Sequence, residues 1–292
     1  MNKKIKHMKK AFIALFALLV GTGVLLVSCD KEDNPDPNDP KNETVYVSKV
    51  IENKKVVIEE FTGVKCGYCP DGHVRAHDIL LANPGNAFVI AYHPQSGGYN
   101  TPYAGDQDLR RTWPDQLWAM TFAGKNAMPG AFVQRRLYGG IRWQSRSNWA
   151  TYADGIMAEV SPLNVGFTSS YDETTKTLTV EAQVYYTTDV TTGNTLYCVL
   201  LEDGIVTQQS GNPNPPDYVH ARTFREGLSD VLGDPITEAT AVGAMIKKTW
   251  TFDNSSRNYN MNNCQVVVFV RDEATNEVIS GNQAKVNLST PL

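Results

Sequence analysis

Long apolar runs are scarce in this 292-residue sequence. One occupies residues 11–27, and no later segment is long and apolar enough to span a bilayer as a helix. An excess of basic residues is also lacking, since 27 lysines and arginines stand against 31 aspartates and glutamates. This balance excludes a general electrostatic attraction for nucleic acid. Cysteine is rare too, with five residues, so the oxidation state of each one bears on function.

The N-terminus predicts export and a lipid anchor. Five lysines precede the apolar run, which ends in Leu-Val-Ser-Cys at residues 26–29. This order is typical of a secretory signal over residues 1–28. A small residue before a cysteine resembles the lipobox of bacterial lipoproteins, which implies that Cys29 is acylated and becomes the mature N-terminus. The alternative is a plain transmembrane anchor, but its apolar stretch would be near the lower limit for spanning a bilayer.

Residues 29–44 predict a disordered acidic tether, because they are rich in Asp, Asn and Pro and offer few side chains to bury. Removal of residues 1–28 would take the formal net charge from −4 to −9, since that segment holds five lysines and no acid. The order Cys-Asp-Lys-Glu-Asp resembles the surface-export signal of some Gram-negative lipoproteins. We therefore expect attachment to outer-membrane lipid through Cys29, on either the periplasmic or the cell-surface side.

A cysteine pair lies in a predicted strand, helix and strand. Residues 55–61 have strand character, Cys-Gly-Tyr-Cys-Pro at residues 66–70 begins a helical pattern that ends at Asn83, and residues 87–92 predict a second strand. The dipole at a helix N-terminus favours a thiolate. We therefore predict that Cys66 is the attacking thiol and that Cys69, one turn later, resolves the mixed disulfide.

This unit resembles thioredoxin-fold proteins. The resemblance implies that Glu60 is a buried carboxylate that exchanges a proton with the second cysteine. It also implies that Met128 and Pro129 form a cis-proline segment that packs on the disulfide and helps to hold an extended substrate peptide. The predicted thioredoxin-like α/β domain spans residues 45–160 and includes an added helical segment at 106–122 and a closing helix at 147–160. Lys65 departs from the family, which has tryptophan there.

A Cys-x-x-Cys motif is also compatible with a zinc half-site, and His73 and His77 follow on the same predicted helix. Four ligands along one straight helix cannot converge tetrahedrally on one ion, and Pro70 after the second cysteine is typical of redox proteins. We therefore predict no metal and no cofactor. An inert structural disulfide between Cys66 and Cys69 stays open as an alternative.

Residues 161–292 predict an all-β domain, an antiparallel sandwich of the immunoglobulin-like kind, because apolar and polar residues alternate in short runs separated by turns. The runs occupy residues 164–169, 178–186, 195–202, 246–252, 265–271 and 278–287. Cys198 and Cys264 lie in two of them, either paired or as isolated buried thiols.

An insertion at residues 203–236 interrupts these strands. Within it we expect a short helix at about 221–228. Tyr218, His220 and Arg222 form either a partner-binding edge or a cover over the end of the sandwich.

The order of the lipobox, the acidic tether, the cysteine motif and the β-rich half resembles the Omp28 family of outer-membrane lipoproteins. From the residues we expect a thiol-disulfide oxidoreductase that acts on protein thiols or disulfides of the cell envelope. The alternative is a non-catalytic surface binding or adhesion lipoprotein that uses the thioredoxin-like fold as a scaffold. Neither interpretation involves nucleic acid.

Overall fold

The computed structural model describes residues 44–121, 127–212 and 218–288. The predicted signal segment, Cys29 and the tether up to residue 43 lie outside the described residues. Val45–Leu292 form one compact unit. Within the described ranges, each helix is too short or too polar to cross a membrane.

The predicted strand, helix and strand are present as β1 (Val56–Phe61), α1 (Cys69–Ala82) and β2 (Ala87–Tyr92), with the two strands parallel. Both strands are buried at every position, as expected for parallel strands covered by helices. α1 begins at Cys69 and not at Cys66. Cys66 lies in a preceding turn, closed by a hydrogen bond of 3.2 Å from the Cys69 amide to its carbonyl oxygen.

Two further strands and two further helices follow in the first half: α2 (Trp113–Thr121), β3 (Gly130–Val133), β4 (Trp143–Ser145) and α3 (Trp149–Met157). The predicted helix at 106–122 is confirmed only from Trp113 onward. Residues before it are held by tertiary hydrogen bonds instead, such as the one from the Arg111 amide to the His93 carbonyl oxygen at 2.9 Å. The predicted closing helix is confirmed as α3, whose Trp149 and Ile156 are fully buried.

The second half is built from strands. They are β5 (Leu163–Asp172), β6 (Thr177–Tyr186), β7 (Asn194–Glu202), β8 (Ile205–Thr207), β9 (Tyr218–His220), β10 (Thr223–Gly227), β11 (Asp234–Ile236), β12 (Met245–Asp253), β13 (Cys264–Asp272) and β14 (Val278–Lys285). The six long strands predicted from alternation are confirmed as β5, β6, β7, β12, β13 and β14. The described residues are therefore mostly in β-sheets, with few helices.

One mixed sheet extends through both halves, in the order β14-β13-β7-β10-β2-β1-β3-β4, with β11 beside β7. A second sheet, in the order β12-β6-β5, is antiparallel. β8 and β9 form a separate hairpin. The large sheet includes strands from both sides of residue 160, and the predicted domain boundary there stays a prediction.

The short helix expected at 221–228 is wrong, because β10 occupies these residues. Thr223 pairs with Ala91 of β2 and with Glu202 of β7, and Phe224 is buried. β7 pairs with β10 from Thr223 to Gly227 and β2 pairs with it at Thr223, and such tertiary pairing overrides a weak local helix preference. β10 thus joins the two halves of the large sheet.

Apolar cores lie on both faces of the large sheet. Val56 and Ile58 of β1 pack under α1 and α3, whereas Val57 and Phe61 face α2. This alternation follows from the two-residue period of a strand, and it turns Glu60 toward α1. A further core fills the space between β6 and the pair β7 and β13, with Val180, Leu200 and Val268 among its members.

Candidate active site

The predicted cysteine pair forms a disulfide. Cys66 and Cys69 are joined with their Cα atoms 5.4 Å apart. Their side chains are 4% and 0% exposed, whereas the side chain of Tyr68 between them is 72% exposed. The rim of the motif therefore faces solvent while both sulfurs are covered.

Glu60 supplies a buried acid beside the start of α1. Its side chain is 1% exposed, and its Oε1 atom has no hydrogen-bond partner among the described residues. Burial raises the pKa of Glu60 to about 8, against an opposing effect of the Arg222 charge. At neutral pH the carboxyl is therefore mostly protonated and able to give up or accept a proton.

Gly72 brings α1 against both Glu60 and the predicted proline. A Cβ atom at Gly72 would lie 2.8 Å from Pro129 Cβ and 2.9 Å from Glu60 Oε1. Only glycine allows this approach without displacement of a neighbour. The Met128–Pro129 peptide bond is cis. The structure thus brings together α1, Glu60 and Pro129 as the sequence predicts, and the roles of these residues stay predictions.

His73 links α1 to the second half of the chain. Its Nδ1 atom lies 2.5 Å from the Tyr218 hydroxyl, and its Nε2 atom lies 2.8 Å from Thr62 Oγ1 and 3.8 Å from Glu60 Oε1. Burial, reinforced by the nearby His220 and Arg222, lowers the pKa of His73 to about 3. His73 is therefore neutral at physiological pH, and it can donate a proton from one ring nitrogen while accepting at the other.

Tyr218 and His220 on β9 lie against α1, which neither of the two predicted roles for this segment anticipates. The His220 ring lies 4.8 Å from the Tyr218 ring and 6.4 Å from the His73 ring, and its Nε2 atom is 2.9 Å from Thr207 Oγ1. Burial lowers the pKa of His220 to about 4. These neutral polar groups form the side of the site that faces Glu60.

A segment of the second half covers the cysteine pair. We call residues 208–212 the cover segment. The Gln209 side chain donates from Nε2 to the carbonyl oxygens of Gly63 at 3.1 Å and Cys66 at 3.0 Å, and the Ser210 amide donates to the Val64 carbonyl oxygen at 2.8 Å. Gln209 is 1% exposed. These bonds tie the segment to the loop that carries Cys66.

Gly211 sets the distance between the cover segment and the motif. Its φ is +80°, and a Cβ atom there would overlap the carbonyl oxygen of Gly67. Two side chains of the first half hold the segment from outside. Tyr103 OH lies 2.7 Å from Ser210 Oγ, and Asp106 Oδ2 accepts from the Gln208 amide at 2.8 Å. The sequence places the cover segment in an insertion, but it carries no signal for this contact.

The other two described cysteines are free and buried, on β7 and β13. Cys198 lies opposite Val268 and Cys264 lies opposite Glu202 in the strand register, so the pairing left open by the sequence does not occur. Burial raises the pKa of Cys264 to about 12. Both thiols are therefore poor nucleophiles. Among the described residues no cluster of three or more His, Cys, Asp or Glu side chains is arranged to hold a metal ion.

Glu60→Gln is expected to change how stability depends on pH. A carboxyl with its pKa raised to about 8 keeps a proton in the folded state that the unfolded state loses above about pH 4. The contribution of Glu60 to the unfolding free energy should therefore fall between about pH 4.5 and 8, by up to about 1.4 kcal/mol per pH unit. Burial lowers the pKa of His73, His93 and His220, and these groups act in the opposite direction below about pH 6.5, because there the unfolded chain binds protons that the folded chain does not. The contribution of Glu60 is therefore measured as the difference in unfolding free energy between the wild type and Glu60→Gln, from denaturant titrations at graded pH. This difference should fall as pH rises over the range, and a constant difference would contradict the buried-acid assignment.

Residues 120–290 match the family described as Outer membrane protein Omp28. This range is more than half of the chain. The chain belongs to the Omp28 family. The Omp28 match includes Met128, Pro129 and the cover segment, and it begins after the cysteine pair. Membership of the Omp28 family supports association of the protein with the outer membrane.

Solved structures are similar to this Omp28-family chain, and the first of those below shares its fold. HBP35 of Porphyromonas gingivalis is 20% identical, with a TM-score of 0.66 over 82% of this chain and 79% of that one. A protein of Agrobacterium tumefaciens is 12% identical, with a TM-score of 0.49 over 82% of this chain and 98% of that one. A domain of the outer membrane lipoprotein Omp28 from Porphyromonas gingivalis is 16% identical, with a TM-score of 0.33 over 44% of this chain and 92% of that domain. No curated protein matches the chain.

Proposed function

We propose that this protein is a lipid-anchored thiol-disulfide oxidoreductase of the outer membrane, held by acylated Cys29 and acting on proteins of the cell envelope. The observation that carries the proposal is the closed Cys66–Cys69 disulfide at the start of α1, with the buried acid Glu60 beside that helix. A disulfide between residues three apart closes a small ring, which places Cys69 within reach of a mixed disulfide on Cys66.

The proposed reaction begins with the reduced pair. The Cys66 thiolate attacks a substrate disulfide, forms a mixed disulfide and releases one substrate thiolate. In the molecules in which Glu60 is ionised, the Cys69 thiol then loses its proton to the Glu60 carboxylate and attacks Cys66 Sγ, which releases the second substrate thiolate. The substrate gains two electrons, and the pair becomes the disulfide seen in the structure. The same steps in reverse oxidise a substrate dithiol.

The proposal includes a named fold for each half of the chain. A thioredoxin-like scaffold is supported by parallel β1 and β2 joined by α1, by β3 antiparallel to β1, and by the cis peptide bond that precedes β3. An immunoglobulin-like sandwich is supported by the core between β6 and the pair β7 and β13. In this scheme Met128 and Pro129 hold the substrate peptide beside Cys66.

The cover segment must move before a substrate reaches Cys66, since the Cys66 side chain is only 4% exposed. Gly211→Ala should displace the segment, because a Cβ atom there would overlap the Gly67 carbonyl oxygen and the residue has a φ of +80°. We expect dithiothreitol to reduce the disulfide of this variant about tenfold faster than that of the wild type. The rate is measured by alkylation of released thiols and mass spectrometry.

Gly243→Ala is the matched control, because Gly243 has a φ of +85° with no heavy atom within 4 Å of its Cβ position. It carries the same backbone strain as Gly211→Ala without touching the cysteine loop. Equal reduction rates in Gly211→Ala and the wild type, or equal acceleration in Gly211→Ala and Gly243→Ala, would contradict the claim that the cover segment shields the disulfide.

The direct test of the proposed function is catalysed reduction of insulin disulfides by dithiothreitol. The reaction should be faster with the full chain present than with buffer alone, and faster again with Gly211→Ala. If neither protein accelerates insulin reduction or the reoxidation of a reduced substrate protein, the proposal fails.

The burial of both sulfurs favours a second candidate, a non-catalytic binding lipoprotein in which the disulfide only stabilises the loop before α1. In that case the Cys66→Ala and Cys69→Ala double variant loses stability but no activity, because a structural disulfide acts chiefly on the unfolded chain. Insulin reduction by the wild type separates the two candidates.

A further inference from the structure

A polar cavity lies apart from the cysteine pair. Its volume is about 450 Å³, and it opens between residues 107–112 and residues 256–259, with β10 at its wall. Four arginines line it, and we call it the arginine pocket: Arg110, Arg111, Arg225 and Arg257. None of them contacts Cys66 or Cys69 in the hydrogen bonds, ion pairs and ring contacts of the described residues.

Two of these guanidinium groups share one tyrosine ring in the wall. The Cζ atom of Arg225 lies 4.4 Å from the centroid of the Tyr259 ring, and that of Arg111 lies 5.8 Å from it. Arg225 is 1% exposed, and burial together with the Arg111 charge lowers its pKa. Two cations held this close, with little water around them, repel each other unless an anion compensates.

Arg111 carries a charge that no carboxylate among the described residues pairs with. It donates to the carbonyl oxygens of Arg225 at 3.0 Å, Asp108 at 3.3 Å and Arg110 at 2.6 Å and to the Tyr259 hydroxyl at 3.1 Å, all neutral acceptors. Arg225 Nε lies 3.0 Å from Glu202 Oε2, and its Nη1 atom is buried without a hydrogen-bond partner among the described residues. The wall of the pocket therefore holds an unpaired positive charge, which an anionic ligand would offset.

Charge around the pocket is positive although the chain is acidic. Arg110 is paired with Asp108 at 2.7 Å and Arg257 with Glu226 at 2.8 Å. With Glu202, three carboxylates thus face four guanidinium groups, whereas the formal net charge of the whole chain is −4. The positive charge without a carboxylate partner among the described residues is that of Arg111. An anion is attracted to this place more than to the rest of the surface.

We propose that the arginine pocket binds the phosphate group of a phosphate monoester, with Arg111 as its principal ligand and the buried charge of Arg225 beside it. A planar guanidinium matches phosphate with two parallel N–H donors, and a dianion offsets neighbouring guanidinium charges more fully than a carboxylate does. The volume of about 450 Å³ accommodates the phosphate and a small organic body. The rim residue Arg257, 55% exposed, contacts that body or the outer phosphate oxygen.

The test is calorimetric titration of the full chain at low ionic strength with inorganic phosphate and with glucose 6-phosphate. We expect saturable binding at one site, weakened about tenfold or more by Arg111→Gln and less by Arg257→Gln. Arg75→Gln is the matched control, because Arg75 is exposed and paired with Asp71 on α1, outside the pocket. Thermal unfolding of each variant without phosphate verifies that it is folded. If Arg111→Gln does not fold, weaker phosphate binding by Arg257→Gln than by Arg75→Gln still tests the proposal.

Vesicles of phosphatidylcholine with phosphatidic acid distinguish a lipid phosphate from a soluble ester. Vesicle binding that glucose 6-phosphate displaces assigns the site to a lipid headgroup, and binding of glucose 6-phosphate without vesicle binding assigns it to a soluble ester. Absence of saturable binding of every phosphate probe, or equal weakening by Arg75→Gln and Arg257→Gln, overturns the proposal.

Discussion

Cys66→Ser is expected to abolish disulfide exchange, and Cys69→Ser to leave the protein as a stable mixed disulfide with its substrate. Cys66 lies in the turn before α1 and is 4% exposed, whereas Cys69 is the first residue of α1 and fully buried. Once the cover segment moves, we expect Cys66 and not Cys69 to meet an incoming disulfide. Without Cys69 no second thiol is close enough to release the substrate.

The measurement is insulin reduction for each variant, followed by non-reducing electrophoresis and mass spectrometry of the Cys69→Ser reaction. Cys198→Ser is the matched control, because Cys198 is a free buried thiol on β7 with its pKa raised by burial. It should keep wild-type activity. Exchange that survives Cys66→Ser, or a mixed disulfide that forms through Cys69, would reverse the assigned roles of the two cysteines.

Arg135→Met is expected to lower the free energy of unfolding by about 3–5 kcal/mol. Arg135 donates to the Glu59 carboxylate from Nε at 2.6 Å and from Nη2 at 2.7 Å, and the two side chains are 2% and 0% exposed. Its guanidinium also stacks over the Tyr197 ring of β7, 4.6 Å from the centroid. Removal of Arg135 leaves the Glu59 charge buried, and among the described residues the Tyr92 hydroxyl, at 3.1 Å, is its one remaining side-chain donor.

Urea denaturation of Arg135→Met measures this cost. Arg75→Gln removes one partner of the exposed pair with Asp71 and should cost no more than about 1 kcal/mol. The double variant Glu59→Gln and Arg135→Met should recover part of the loss, because it leaves no unpaired charge. A cost for Arg135→Met no greater than that for Arg75→Gln would mean that the buried pair contributes little to stability.

Elements with strong local patterns could be predicted from the sequence. β6 and β13 alternate apolar and polar residues or form continuous apolar runs. One hydrogen-bonded neighbour of each, β5 and β14, follows from a turn a few residues long, whereas β12 and β7 are distant in sequence. The βαβ unit with its cysteine pair was equally evident, because Pro70 and the stop at Asn83 mark both ends of α1. Pro129 was found through a family resemblance, since nothing in its local pattern specifies a cis bond.

The cover segment could not be predicted. Gln209 and Cys66 are 143 residues apart, and a side-chain amide bonded to backbone carbonyl oxygens leaves no period or motif in the sequence. β10 was misassigned for a related reason, since its strand conformation is imposed by the edges of β2 and β7 and not by its own residues. The sequence carries no signal for the contact between His73 and Tyr218, because Tyr218 lies in a strand that is distant along the chain. The sequence therefore predicts the local chemistry of the cysteine pair but not the burial of its two sulfurs.

Equilibration of the wild-type protein with glutathione buffers of graded potential tests the central claim most directly. The fraction of reduced Cys66 and Cys69 is followed by alkylation, and the fold is followed by near-ultraviolet circular dichroism on the same samples. We predict a single reversible two-electron transition while the dichroism stays native. Reduction that occurs only together with loss of the native spectrum would show that the disulfide is a structural bond, and would contradict the oxidoreductase assignment.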